Sequence, residues 1–277
     1  MKRRDFLRTL GLSCVGACCN PLKVLAAGRA TLENRAGYKT AFPPLRLNPL
    51  RTSTARITSL DDMTWDPGPL LQQYDERQQW RRELYLEIFP ENEIDDILDE
   101  MRVSFEAIIP DMPYIGESNF HLQWFIPNSE KLAEYLVVKN YGVSKKEYSN
   151  LHLTQASKDL LNDFTKDQLI GIGKMQFGYP TELFMMATAL WSQFRLYPDD
   201  YIIYFLKGDG VDFDWGLDYT QCANVQLYKK YDAQDLLLPM VCTQDDLAGS
   251  LMRTGYRRTM QIATGDPICD LRWKLQE

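Results

Sequence analysis

Three cysteines in the last quarter of the chain each stand close to an aspartate: Asp218 precedes Cys222 by four residues, Asp245 follows Cys242 by three, and Asp270 follows Cys269 directly. A thiolate can act as nucleophile or metal ligand, and a carboxylate can take the proton of a water or orient a base, so these pairs hold parts of a hydrolytic or binding site. The four-residue spacing places Asp218 and Cys222 on one face whether the segment is helical or extended, and the three-residue spacing does the same for Cys242 and Asp245 in a continuing helix. An aspartate does not lower a thiol pKa, however, and a reactive cysteine needs a positive neighbour or a base. Asp218 or Asp245 can orient such a base or activate a water, while Cys222 and Cys242 read equally well as structural thiols.

Zinc is the alternative use of such residues. The separations of 20 and 27 residues between the cysteines lack the close C-x-x-C pairs of structural zinc sites. The metal stays unknown, zinc is weakly indicated, and the sequence requires no cofactor. His121 and His152 have no partner at ligand spacing and read as surface or satisfied half-buried imidazoles. A P-loop, a dinucleotide fingerprint, H-E-x-x-H and G-x-S-x-G are all absent.

The elements that must position these residues fall into two groups. Ahead of them the period is helical. Leu71 to Ile88 form a stripe stopped by Pro90; Ile94, Ile97, Leu98, Met101, Phe105 and Ile108 recur at three and four; helices follow from about Asn128 to Asn140 and from Ser144, where Ser144 and Glu147 make a capping box. Phe120 to Ile126 reads as a strand or a connector. The most apolar helix opens at Pro180 and Glu182, and its breadth of Leu183, Met186, Leu190, Phe194 and Trp191 predicts the central core helix. After Asp199-Asp200, Tyr201 to Leu206 and Phe213 to Tyr219 read as strands, helices follow from Cys222 to Lys230 and from Asp232 to Cys242, and a terminal hairpin turns at Gly265-Asp266-Pro267. In that hairpin Cys269 faces with Leu271 and Trp273, which makes it a structural residue. The predicted fold is α+β, an N-terminal helical bundle-like region packed on a mostly antiparallel C-terminal sheet.

The start of the chain reads as an address. Arg3 and Arg4 precede Phe6-Leu7 and a short apolar stretch from Leu10 to Ala17, a pattern resembling a twin-arginine export signal, with the translocase as implied partner. Two ends for this leader compete: Val15-Gly16-Ala17-Cys18 resembles a lipobox, with Cys18 lipidated, and Val24-Leu25-Ala26 offers a signal-peptidase site. The organisation expected is a signal peptide over 1–26, cleaved before Cys18 in the lipoprotein alternative, a tether over 27–69 broken by prolines, and a globular domain over 70–277. The protein is then periplasmic, and a lipid anchor supplies its one membrane contact. Cleavage before Cys18 takes the basic and acidic counts from 31 and 38 to 27 and 37, a balance of −10. That surface repels phosphate backbones, which argues against a nucleic-acid partner.

At the cysteine segments the chain resembles the L-2-amino-thiazoline-4-carboxylic acid hydrolases. FDWGLDYTQC, YKKYDAQDLLLPMVCTQD and RRTMQIATGDPICDLRW are similar to three segments of that family, and the similarity covers Phe213 to Trp273 well and the helical region loosely. The resemblance implies a hydrolase that opens a C–N bond of a small cyclic amidine. Water adds at the carbon between ring sulfur and nitrogen. It marks Asp218, Cys222, Cys242 and Asp245 as catalytic candidates and Thr220, Arg258, Asp266 and Arg272 as substrate-binding ones, with Arg258 or Arg272 for a substrate carboxylate. Gln221 departs from the glutamate the family places before its cysteine. The ending GDPICDLRW also resembles the close of the four-vinyl-reductase type of small-molecule-binding domain, although Arg258 and Gln261 stand where its zinc-binding members have ligands. The alternative is thus an exported small-molecule-binding or sensing domain without catalysis.

Overall fold

In a computed structural model the described residues are 63–276. The segments expected to be an export leader, with Cys18, and a tether lie outside them as far as residue 62. The chain begins with α1 (Pro67–Asp75), α2 (Gln78–Tyr85), α3 (Ile94–Ile108), α4 (Leu122–Val138), α5 (Lys145–Asp163), α6 (Lys166–Met175) and α7 (Tyr179–Ser192). Then come β1 (Ile202–Lys207), β2 (Trp215–Gln221), α8 (Ala223–Lys230), α9 (Gln234–Leu237), a π-turn over Leu238–Cys242, α10 (Thr243–Met252), β3 (Arg257–Arg258) and β4 (Cys269–Trp273). The sheet is antiparallel throughout, in the order β1-β2-β4-β3, so the α+β expectation holds. No helix among the described residues is long and apolar enough to cross a membrane.

Local chemistry explains most boundaries. Asp66 caps α1 by accepting the Gly68 amide at 2.9 Å, and Pro67 occupies the first turn, where its missing N–H costs nothing. Asp66-Pro67-Gly68-Pro69 therefore starts a helix, although sequence alone placed it in the tether. Trp65 is already part of the core, its indole N–H donating to the Pro113 carbonyl at 2.9 Å. The Ser144–Glu147 capping box forms as expected, and Thr165 with Gln168 makes a second one at α6. Phe120–Ile126 is neither strand nor connector. Its greater part belongs to α4, which runs through Pro127.

α7 is not the central core helix. It packs on β1, the edge strand, so only Met186, Ala189 and Ser192 are buried, and Trp191 on its far side is 63 % exposed. Apolar content predicts that a helix buries something, not which layer it occupies. The centre is instead α3 against α4, where Ile97, Met101, Phe105, Phe125 and Leu132 are fully buried.

A buried polar network ties α1 and α2 to α4 and α5. Arg81, 1 % exposed, pairs with Glu130 and with Glu134 at 2.7 Å, and its guanidinium covers the Tyr74 ring at 3.4 Å. Tyr85 donates to Glu134 at 2.7 Å, and His152 lies 3.8 Å from the same carboxylate. Burial by itself would raise the Glu134 pKa, but Arg81, His152 and the hydrogen bonds hold it below the usual carboxylate range. Removing this guanidinium would leave Glu130 with Arg77 alone and the buried Glu134 with only the Tyr85 hydroxyl and the neutral His152 beside it. Arg81→Met is therefore expected to lower unfolding free energy by about 3–5 kcal/mol in urea titrations. Arg102→Met, which breaks a solvent-exposed pair with Asp75, should change it by less than about 1 kcal/mol.

Candidate functional site

Strand alternation sorts the candidate residues onto two faces of the sheet. In the β2–β4 register Trp215, Leu217 and Tyr219 stand opposite Trp273, Leu271 and Cys269, while Gly216 and Asp218 stand opposite Arg272 and Asp270. Cross-strand partners share a face. The first set faces the helices, with Leu217 and Leu271 in the core and the Trp215 and Trp273 rings stacked at 4.2 Å.

The second set faces away. There Asp218 and Arg272 approach to 2.8 Å, in a charge contact whose angle is not that of a hydrogen bond, so Asp218 Oδ1 is buried without a hydrogen-bond donor. Arg272 also donates to the Leu271 carbonyl at 2.9 Å and can lie across the strand because Gly216 has no Cβ, which would come within 2.7 Å of its Cδ. Thr220 is exposed on this face. Asp270 accepts the Thr259 and Met260 amides at 2.7 and 2.6 Å, and Asp266 accepts the Gln261 amide at 2.8 Å; both carboxylates build the terminal hairpin.

The structure thus separates Asp218, Thr220 and Arg272 from the cysteines and gathers the other candidates. Cys222 lies past the end of β2, at the N-cap of α8, so the shared face expected for it and Asp218 does not form. Cys242 ends the π-turn that leads into α10, which carries Asp245 in its first turn. Cys269 opens β4, half-buried, and accepts the Ile262 amide at its sulfur at 3.2 Å. Cys222, Cys242, Cys269 and Asp245 all lie within electrostatic reach of one another, with Tyr219, Tyr256 and Arg258 beside them. Among the described residues no three His, Cys, Asp or Glu side chains are grouped to hold a metal ion, which leaves the zinc alternative without a ligand set there.

Charge at this cluster is concentrated in Asp245, Asp246 and Arg258. The Arg258 side chain is 5 % exposed; its Nη2 donates to Asp246 at 3.0 Å and to the Cys242 carbonyl at 3.3 Å. Its Nη1 lies 3.7 Å from Asp245, a charge contact beyond hydrogen-bond reach, and its Nε is buried with no partner. Asp245 itself is 55 % exposed, so water reaches it. The protein mass around it nonetheless raises its pKa to about 6, against the pull of Arg258 and with a further push from Asp246.

Burial acts on the thiols in the same direction. It pushes Cys222 up to about 12, although the Val225 and Asn224 amides face the sulfur and favour the thiolate without closing a capping hydrogen bond. Burial also raises Cys242 and Cys269, with Arg258 too weak an offset for either. All three are neutral thiols at physiological pH.

Two further residues join the site without having been marked in the sequence. Tyr219 stands on the core face of β2 opposite Cys269 and within electrostatic reach of Cys222 and Asp245, and its hydroxyl lies 3.3 Å from His121 Nε2. His121 is buried and stacked on Tyr201 at 4.2 Å, and burial lowers its pKa to about 3, so it is neutral. Two-residue alternation from Leu217 could have picked out Tyr219; nothing local in the sequence connects it to His121, 98 residues away. Gln221 is turned from the cluster, donating to the Pro198 and Asp200 carbonyls at 2.6 and 2.7 Å. A shallow groove between α3 and α4, lined by Asp96, Asp99 and Glu100, includes none of these residues.

No protein-family model, curated protein or solved structure matches the chain. The resemblance to amino-thiazoline carboxylate hydrolases stands on the three segments alone. For the thiols the expectation is direct: with so little thiolate, Cys222, Cys242 and Cys269 should react with iodoacetamide at pH 7.5 at least about tenfold more slowly in the native protein than after denaturation in urea. Intact-mass spectrometry of timed samples measures this, and native labelling as fast as denatured labelling would contradict neutral thiols.

Proposed function

We propose that the chain is a hydrolase of small cyclic amidines, of the kind that opens 2-amino-thiazoline-4-carboxylate, working at the Asp245 cluster. The observation that carries this reading is Asp245 itself: an accessible carboxylate 3.7 Å from the Arg258 guanidinium and within electrostatic reach of three neutral thiols and Tyr219. Such a group is mostly ionised at neutral pH, attracts an amidinium, and is matched to taking a proton from water. The thiols are poorly suited as nucleophiles, so water attacks and Asp245 serves as base.

In the balanced step, water adds to the amidinium carbon as one of its protons passes to Asp245; the neutral tetrahedral adduct then collapses to a carbonyl, its hydroxyl proton leaving to solvent while Asp245 returns its proton to the departing ring atom. Expulsion of ring nitrogen breaks the expected C–N bond and leaves the sulfur acylated; expulsion of sulfur would release a free thiol. Arg258 Nη1 is the cation for the ligand's carboxylate, since Arg272 faces away across the sheet. Export by the twin-arginine route, with Cys18 lipidated or the leader removed at Ala26, belongs to the same proposal and rests on the leader motif.

A second reading, ligand binding without turnover, is favoured by Gln221, which stands in the place of a glutamate and spends its amide on backbone carbonyls. Incubation with 2-amino-thiazoline-4-carboxylate, followed by mass spectrometry and a thiol reagent, separates the two and identifies the broken bond. Turnover should rise with pH through about 6 as Asp245 ionises, and fall roughly tenfold per unit well below it. Asp245→Asn should lose about 100-fold or more in kcat, while Cys222→Ser keeps most of it. A wild-type protein whose melting temperature rises with this ligand but which releases no product is a binding protein, and the hydrolase reading then fails.

A further inference from the structure

Behind the cluster, four side chains form a hydrogen-bonded chain whose polarity can be assigned end to end. Asn119 Nδ2 donates to both Asp200 carboxylate oxygens at 2.9 Å and to the Ile115 carbonyl at 2.7 Å. These are acceptors only, so the amide nitrogen must face them and Asn119 Oδ1 must face the other way. There Oδ1 accepts the His121 backbone N–H at 2.9 Å and meets His121 Nδ1 at 3.2 Å. An acceptor opposite Nδ1 places the ring proton on Nδ1. The ring is neutral in its buried setting, so Nε2 carries a lone pair and can only accept. The Tyr219 hydroxyl, 3.3 Å from Nε2, must then give its single proton to His121. The oxygen, its proton spent on His121, is left able only to accept further hydrogen bonds, on a strand position opposite Cys269 and within electrostatic reach of Asp245 and Cys222.

We infer that Tyr219 is a specificity-determining residue of the proposed site, fixed by His121 and Asn119 as a hydrogen-bond acceptor that selects ligands bearing an N–H at the amidine carbon. The inference rests on the amidine reading and adds to it: Asp245 supplies charge, and Tyr219 tells an amino substituent from an isosteric group that cannot donate. An unpaired buried oxygen opposite a methyl group would lose its partner, which is how polar sites reject near-isosteres. His121 and Asn119 are positioning residues, acting through Tyr219.

The test uses two probes of one shape, 2-aminothiazole-4-carboxylate and 2-methylthiazole-4-carboxylate, aromatic rings titrated into the full protein by calorimetry. The wild type should bind the amino compound about tenfold or more tightly than the methyl one. Tyr219→Phe should bring that ratio close to one; a merely structural tyrosine would weaken both probes alike and keep the ratio. Independently, long-range proton–nitrogen NMR of the two histidines, assigned with a His121→Gln variant, should show His121 protonated on Nδ1 alone. A proton on Nε2, or a ratio unchanged in Tyr219→Phe while the wild type discriminates, overturns the inference and leaves the function standing. Failure of the wild type to bind either probe, with Nδ1 protonated, overturns the amidine site and the selectivity built on it.

Discussion

The pairing register of β2 with β4 is the constraint on which the site depends. With Tyr219 opposite Cys269 and Asp218 opposite Asp270, one face of the sheet carries tryptophan, leucine, tyrosine and cysteine, and the other carries aspartate and arginine. A slip by one residue would exchange the faces, placing Asp218 and Arg272 against the helices and Trp215 and Leu217 in solvent. The stacked Trp215 and Trp273 rings, with Phe205 alongside Trp215, make that slip expensive. The packing of the core thus decides which polar side chains meet the cysteines and which are held apart.

Burial then sets the chemistry of what is gathered. The same exclusion of water raises three thiols and the Tyr219 phenol and lowers His121, so each of these groups is in its neutral form. Asp245 differs because water reaches it, and Arg258 differs because Asp246 and the Cys242 carbonyl hold its guanidinium. Three cysteines invite a thiol mechanism on paper. In the hydrolase reading proposed above, that leaves water as the nucleophile and, to deprotonate it, the carboxylate that kept its contact with solvent.

Much of the fold was legible because local physics wrote it. The capping box at Ser144, the three-four period of Ile94 to Ile108 and the alternation of Cys269, Leu271 and Trp273 each specify an element without reference to the rest of the chain. α7 was misread because composition carries no layer assignment, and the segment before Pro127 because a proline early in a helix need not break it. At the site, spacing joined Cys242 to Asp245, which the structure carries on consecutive helical segments, and joined Asp218 to Cys222, since it could not foresee the chain leaving the strand at Gln221. His121 was illegible for a different reason. Its partner Tyr219 is brought to it only when α4 packs near β2, and no local period encodes that meeting.

Gln221 gains a different meaning from these contacts. Its Nε2 donates to two carbonyl oxygens, those of Pro198 and Asp200, and so pins the loop that precedes β1. A glutamate in the same place would aim a carboxylate oxygen at two carbonyls, an arrangement stable only if it stayed protonated. The loop it would disturb carries Asp200, whose carboxylate orients Asn119 and, through it, the His121 ring. An amide at position 221 is therefore the side chain this loop requires. Gln221 is thus a brace for the residues behind Tyr219, and in the proposed hydrolase reading proton transfer falls to Asp245.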